Sequence, residues 1–211
     1  MLNHKISLLN QWKTMAGVTL ACICLSWTLG GLHAASAETE NEQELTEVEV
    51  QALKLSVPSG WTQEKPSSSM RLSQFRIPSA DGDNEDAELA IFSFGGGGNR
   101  AANVRRWIGQ FQADSESRVT TGKSPQGEYV LVDVRGTYNR PIGPPIQRKT
   151  KPVPNSRMLA VVLTLEGKAN YFLKLTGPSN TVTENLDSFR HSFGASSAGD
   201  EEETTVDQLG P

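Results

Sequence analysis

The sequence predicts an α+β domain: a central antiparallel sheet of about six strands, flanked by two amphipathic helices. Three observations carry that reading. Six short segments have alternating or continuous apolar residues and are bounded by Gly, Pro, Asn or Asp. The links among the last three are short enough for hairpins, which argues for antiparallel neighbours. Two other segments place apolar residues on one helical face: Val104, Trp107, Ile108 and Phe111 in the first, Val182, Leu186, Phe189 and Phe193 in the second.

Taken in order, Leu53, Leu55 and Val57 alternate with polar residues and stop at Pro58-Ser59-Gly60, a strand ending in a turn before Trp61. Met70 to Ile77 reads as a second strand, ended by Pro78. Asp81-Gly82-Asp83-Asn84 supplies turn chemistry ahead of Glu88 to Phe94, which is apolar on both faces and suits a central strand. Four glycines, 95 to 98, lead into the first helix, starting at Asn99 or Asn103, with Arg105, Arg106 and Gln110 off the apolar stripe.

Glu128 to Val134 and Arg157 to Leu165 are near-continuous apolar runs separated by a proline-rich loop, and Gly167-Lys168 turns the chain into Ala169 to Leu175. Gly177-Pro178 breaks that last strand. Thr181 with Glu184 reads as a capping box opening the second helix, which ends at Gly194.

This order resembles the PsbP-like fold, an α/β/α sandwich. The likeness also rests on Val57-Pro58-Ser59-Gly60-Trp61 and on Tyr171-Phe172-Leu173-Lys174-Leu175-Thr176-Gly177-Pro178, and it spans residues 50 to 195 as a single domain. The fold is shared by an extrinsic subunit of photosystem II, a Ran-binding nuclear protein and many secreted bacterial proteins. The resemblance implies a binding or assembly role without catalysis. No family site matches residue by residue, so none is carried over.

Residues 1 to 37 read as a secretory signal peptide: Lys5 and Lys13 precede an apolar stretch from Met15 to Leu32, and Ala35-Ser36-Ala37 offers small residues for cleavage before Glu38. An uncleaved anchor is the alternative, since the stretch approaches the roughly 18 residues a spanning helix needs. A lipoprotein would need Cys22 modified, and Thr19-Leu20-Ala21 fits that poorly. Cleaved or anchored, the domain is expected in the periplasm or outside the cell, and no other stretch would span a bilayer. Cleavage removes Cys22, Cys24, His4 and His33, which rules out a disulfide framework and leaves zinc one histidine, His191. No cofactor is expected.

The formal net charge of −4 averages unlike regions. Six glutamates fall in residues 38–49 and five acids in 196–211, with no basic residue in either arm. Between them 13 acids face 18 Lys and Arg, so the domain is about +5. Such arms are expected to be disordered, as solubilising tails or as intramolecular competitors for the basic surface.

Candidate chemistry is sparse. The glycine run before a helix invites an anion cradle, but Gly98-Asn99-Arg100 lacks the Lys-Ser/Thr of a P-loop, and a flexible loop explains it as well. The loop from Asn139 to Ser156 combines Arg140, Arg148, Lys149 and Lys151 with five prolines, which should hold its charges away from the sheet. Asp81, Asp83, Glu85, Asp86 and Glu88 could meet a hard cation, yet their spacing is wrong for an EF-hand and suits a solvated hairpin tip. His191 lies off its apolar stripe, and no Gly-x-Ser-x-Gly elbow presents a nucleophile.

The expectation is therefore a non-catalytic extracytoplasmic module. It would engage an acidic protein, an anionic envelope polymer or lipid headgroups through Arg100, Arg105, Arg106, Arg140, Arg148, Lys149 and Lys151. Nucleic acid is not an expected partner. The alternative is a hydrolase using paired carboxylates in a cleft, for which Asp133, the one acid within a strongly apolar strand, is the candidate.

Overall fold

A computed structural model describes residues 44–94, 98–143, 145–165 and 169–210. The expected signal segment, the start of the acidic arm, Gly95 to Gly97 and the Gly167-Lys168 turn lie outside the described residues.

The chain begins with a hairpin, β1 (Leu45–Val50) and β2 (Leu53–Pro58), that stands apart as a two-stranded sheet. The main sheet is built from β3 (Thr62–Glu64), β4 (Ser73–Ile77), β5 (Ala87–Ser93), β6 (Glu116–Ser124), β7 (Gly127–Pro141), β8 (Thr150–Leu165), β9 (Asn170–Pro178) and β10 (Glu202–Thr204). Their spatial order is β10-β6-β7-β8-β9-β5-β4-β3, with every neighbouring pair antiparallel. The helices are α1 (Arg100–Ile108), between β5 and β6, and α2 (Ser179–Glu184) and α3 (Leu186–Ser192), after β9.

Alternation along β8 shows why the central strands read as unbroken apolar runs. Leu159, Val161 and Leu163 join a core with Leu53, Leu55 and Val57 of β2, with Val182 and Phe189 of the C-terminal helices and with Phe193 just after them. Met158, Ala160 and Val162 point to the other face, where they meet Val104 and Trp107 of α1. A strand covered on both sides loses polar alternation. Trp107 packs edge-on against Phe172 at 6.2 Å, and Phe193 packs edge-on against Tyr129 and Phe189 at 5.2 and 5.6 Å.

Four features depart from the sequence reading. The main sheet has eight strands, not about six: β6 was missed because Glu-Ser-Arg-Val-Thr-Thr-Gly-Lys-Ser carries one apolar residue. The acidic arms are not simply disordered. Glu47 and Glu49 belong to β1, where backbone pairing with β2 needs no apolar side chains. At the other end, β10 pairs with β6 from Glu202↔Thr121 to Thr204↔Val119, covering what would otherwise be a sheet edge. The acids of this arm meet bases: Glu201 binds Arg190, Glu203 binds Arg118 at 2.7 Å and Asp207 binds Arg105 at 2.6 Å.

The expected second helix is two short ones meeting at Asn185. Thr181 does not cap it. Thr181 is buried, and its N–H and hydroxyl both donate to Asp83 Oδ2, at 2.8 and 2.7 Å. The helix start is thus satisfied by a carboxylate from a remote turn. The first helix does follow its signal, since Asn99 Oδ1 accepts from Ala102 N at 2.7 Å.

The proline-rich segment is mostly strand. β7 and β8 run together to Pro141↔Thr150, with a register shift between Gly136 and Tyr138. Beyond Ser156↔Pro178, β8 has no β9 partner. Pro152 and Pro154 share parity, so both missing N–H groups face one side of the strand, and this free margin tolerates them.

Candidate functional site

The seven basic residues singled out from sequence do not form one patch. Arg100 donates to Thr164 Oγ1 at 3.0 Å, near the start of β7, where Thr164 pairs with Glu128. Arg148, Lys149 and Lys151 sit at the far end of the same hairpin, about 40 Å away at 3.3 Å per residue. Arg105 is held by Asp207, Arg106 by Asn103 Oδ1 at 2.8 Å, and Arg140 by Glu85 at 2.7 Å. The tip residues Arg148, Lys149 and Lys151 are exposed, and no ion pair engages them among the described residues. Beside them Ile146 is 90% exposed and Ile142 44%. The acidic tail lies over β6 and α1 and does not cover this tip.

At the base of the projecting hairpin the sheet is open. α1 covers β7 and β8, and among the described residues the stretch of β9 and β5 past Phe172 is left open on that face. A cleft of about 420 Å³ results, with Lys174 and Thr176 of β9 and Ala90 and Phe92 of β5 on its floor. Register sets Lys174 between Ala90 and Ala160, whose small side chains leave the space around it.

Lys174 Nζ donates to Gln110 Oε1 at 2.6 Å and to Tyr138 Oη at 3.3 Å, and lies 5.2 Å from the Tyr138 ring centroid. Burial pushes this ammonium down to about 8, with the charge of Arg71 adding to the effect. The cleft's carboxylates are committed elsewhere. Glu88 takes Arg71 at 2.8 Å, Glu85 takes Arg140 across the rim, and Asp86 takes Arg76 at 3.1 Å. The Arg140 hydrogen bond holds Glu85 below the usual carboxylate range, and the Arg76 bond does the same for Asp86. Tyr138 is raised by burial. Thr176 Oγ1 is buried with no hydrogen-bond partner.

The sequence carried a signal for this cleft: a single cation in Tyr171-Phe172-Leu173-Lys174-Leu175. It passed unread because alternation alone does not say that a neighbouring helix ends before that row.

Asp133 has a structural partner. Arg157 Nε and Nη2 donate to its two oxygens at 2.9 and 2.5 Å, Arg157 Nη1 donates to Thr183 at 2.7 Å, and Arg157 is 1% exposed. His191 is exposed. Among the described residues no three His, Cys, Asp or Glu side chains gather as a metal set, and no helix is long and apolar enough to cross a membrane.

Comparison with known proteins adds a fold-level likeness. It is similar to cyanobacterial PsbP. The solution structure of that protein from Synechocystis sp. PCC 6803 aligns with 81% of this chain and 99% of its own, at 14% sequence identity and a TM-score of 0.44. No protein-family model matches the sequence, and no curated protein does.

Proposed function

We propose that this chain is a non-catalytic extracytoplasmic binding or assembly module. It docks an acidic protein at the end of the sheet where the β7–β8 hairpin projects. One observation carries the reading: three unpaired cations and an almost fully exposed isoleucine share a tip held out by two long paired strands. Exposed cations outside any ion pair attract an anionic surface, and exposed apolar side chains add contact area that a polymer of charges would not use. The extracytoplasmic address rests on the leader-like sequence before residue 38.

The hydrolase alternative needs an acid with a raised pKa near a second carboxylate. In the open cleft each carboxylate is instead tied to an arginine, and Asp133 serves Arg157. Those pairings favour binding.

The test is affinity capture from native envelope extract with the wild type and with Arg148→Glu/Lys149→Glu/Lys151→Glu. Loss of a discrete acidic partner from the variant supports the proposal; an unchanged capture profile overturns it.

A further inference from the structure

We infer that the cleft around Lys174 is a binding site for a small hydroxylated organic carboxylate of the sugar-acid class. The inference does not depend on what the hairpin tip binds. Its basis is an ammonium on the cleft floor with two neutral partners, Gln110 and Tyr138, and no carboxylate within ion-pair distance. An ammonium has three N–H donors, and these partners use two. Every acid nearby already has its arginine, so Lys174 has no ion-pair partner within the fold and is free to take one from a ligand.

The second observation is the hydroxyl of Thr176, buried in the same cleft without a partner. Lys174 and Thr176 are two residues apart on one strand, so they share a face at a spacing of about 7 Å. A five- or six-carbon acid spans that distance, with its carboxylate on Lys174 and a hydroxyl on Thr176. The rings of Phe92 and Tyr138 supply apolar surface for its C–H groups.

The charge pattern selects a carboxylate over a phosphate ester. Phosphate sites recruit bidentate arginine, and here Arg71 and Arg140 are both occupied by glutamates. One compact ammonium with neutral donors around it matches a monoanion. The cleft volume of about 420 Å³ admits a ligand of this size.

The groups facing Lys174 are Arg71 beside β4, Glu88 on β5, Arg106 on α1, and Tyr138 and Arg140 on β7. Of the acids among these groups and on the rim, Glu88 is paired with Arg71, and the Arg140 hydrogen bond holds Glu85 below the usual carboxylate range.

The experiment is calorimetric titration of the purified protein with D-glucuronate, with D-glucose as a neutral control of equal size and acetate as a carboxylate without hydroxyls. At pH 7 glucuronate should bind at least tenfold more tightly than either. Lys174→Met should weaken glucuronate at least tenfold, and Thr176→Val should weaken it several-fold while leaving acetate unchanged. Raising the pH to 9.5 should weaken glucuronate on the wild type, an arm that needs no variant to fold. Glucuronate binding no better than glucose, or binding that survives both Lys174→Met and pH 9.5, overturns the inference.

Discussion

Arg190 Nε lies 2.8 Å from Glu201 Oε1, and the two side chains are 7% and 1% exposed, so an acid of the C-terminal tail completes the core of the domain. Thr120 adds a hydrogen bond to the other carboxylate oxygen at 2.8 Å, and burial together with this carboxylate pushes Tyr129 up to about 12. The tail is therefore structural from Glu201 onward.

Removing Glu201 strands a buried guanidinium. Glu201→Gln, or truncation after Asp200, should cost about 3 to 5 kcal/mol of unfolding free energy in urea titration. The double variant Arg190→Met/Glu201→Leu should recover most of that loss, because it removes both charges together.

Asp133 and Arg157 make the same kind of pair within the sheet. Asp133→Ala should cost about 3 kcal/mol by the same measurement, since Arg157 would keep only Thr183.

Lys174 predicts an unusual pH dependence. Its folded pKa of about 8 lies below the ordinary lysine value of 10.5, so between the two the unfolded chain binds more protons. Stability should then rise as pH increases from 8 toward 10. Above 10 the raised Tyr129 pulls the other way, because the unfolded state ionises first. Lys174→Met should flatten the rise and increase the melting temperature at pH 7, while lowering ligand binding. A binding residue held at a cost in stability behaves this way. Melting curves of both proteins from pH 7 to 10 decide it.

The hairpin tip should be dispensable for folding. Ile142 and Ile146 are exposed, and Arg148 and Lys149 have no ionic partner among the described residues. Replacing residues 142–149 with Asn-Gly should change stability by less than about 1 kcal/mol in the same denaturant titration.

The sheet was legible where burial writes on the sequence. Val130 to Val132 and Leu159 to Leu163 are strand segments packed on both faces, and their apolar runs say so. Val104 and Trp107 likewise announced α1. β6 and β10 were illegible because edge pairing is a backbone interaction, indifferent to residues such as Glu202 and Thr121. Charge totals misled for a related reason: Glu201, Glu203 and Asp207 look like a solvated run until Arg190, Arg118 and Arg105 are found opposite them. The proline-rich segment misled in the other sense, since prolines 152 and 154 permit a strand at a free margin. Of the proposed docking residues, Arg148, Lys149 and Lys151 stay available, whereas Arg105 and Arg140 are spoken for by acids that no local pattern links to them.

The most direct measurement places a photo-crosslinking side chain at Ile146 and, as control, at exposed Ser117 on β6, each irradiated in native envelope. Docking through the tip predicts one discrete adduct with an acidic protein from position 146, none from 117, and its loss when Arg148, Lys149 and Lys151 are reversed to Glu. Equal adducts from both positions, or an adduct that survives the charge reversal, would contradict it.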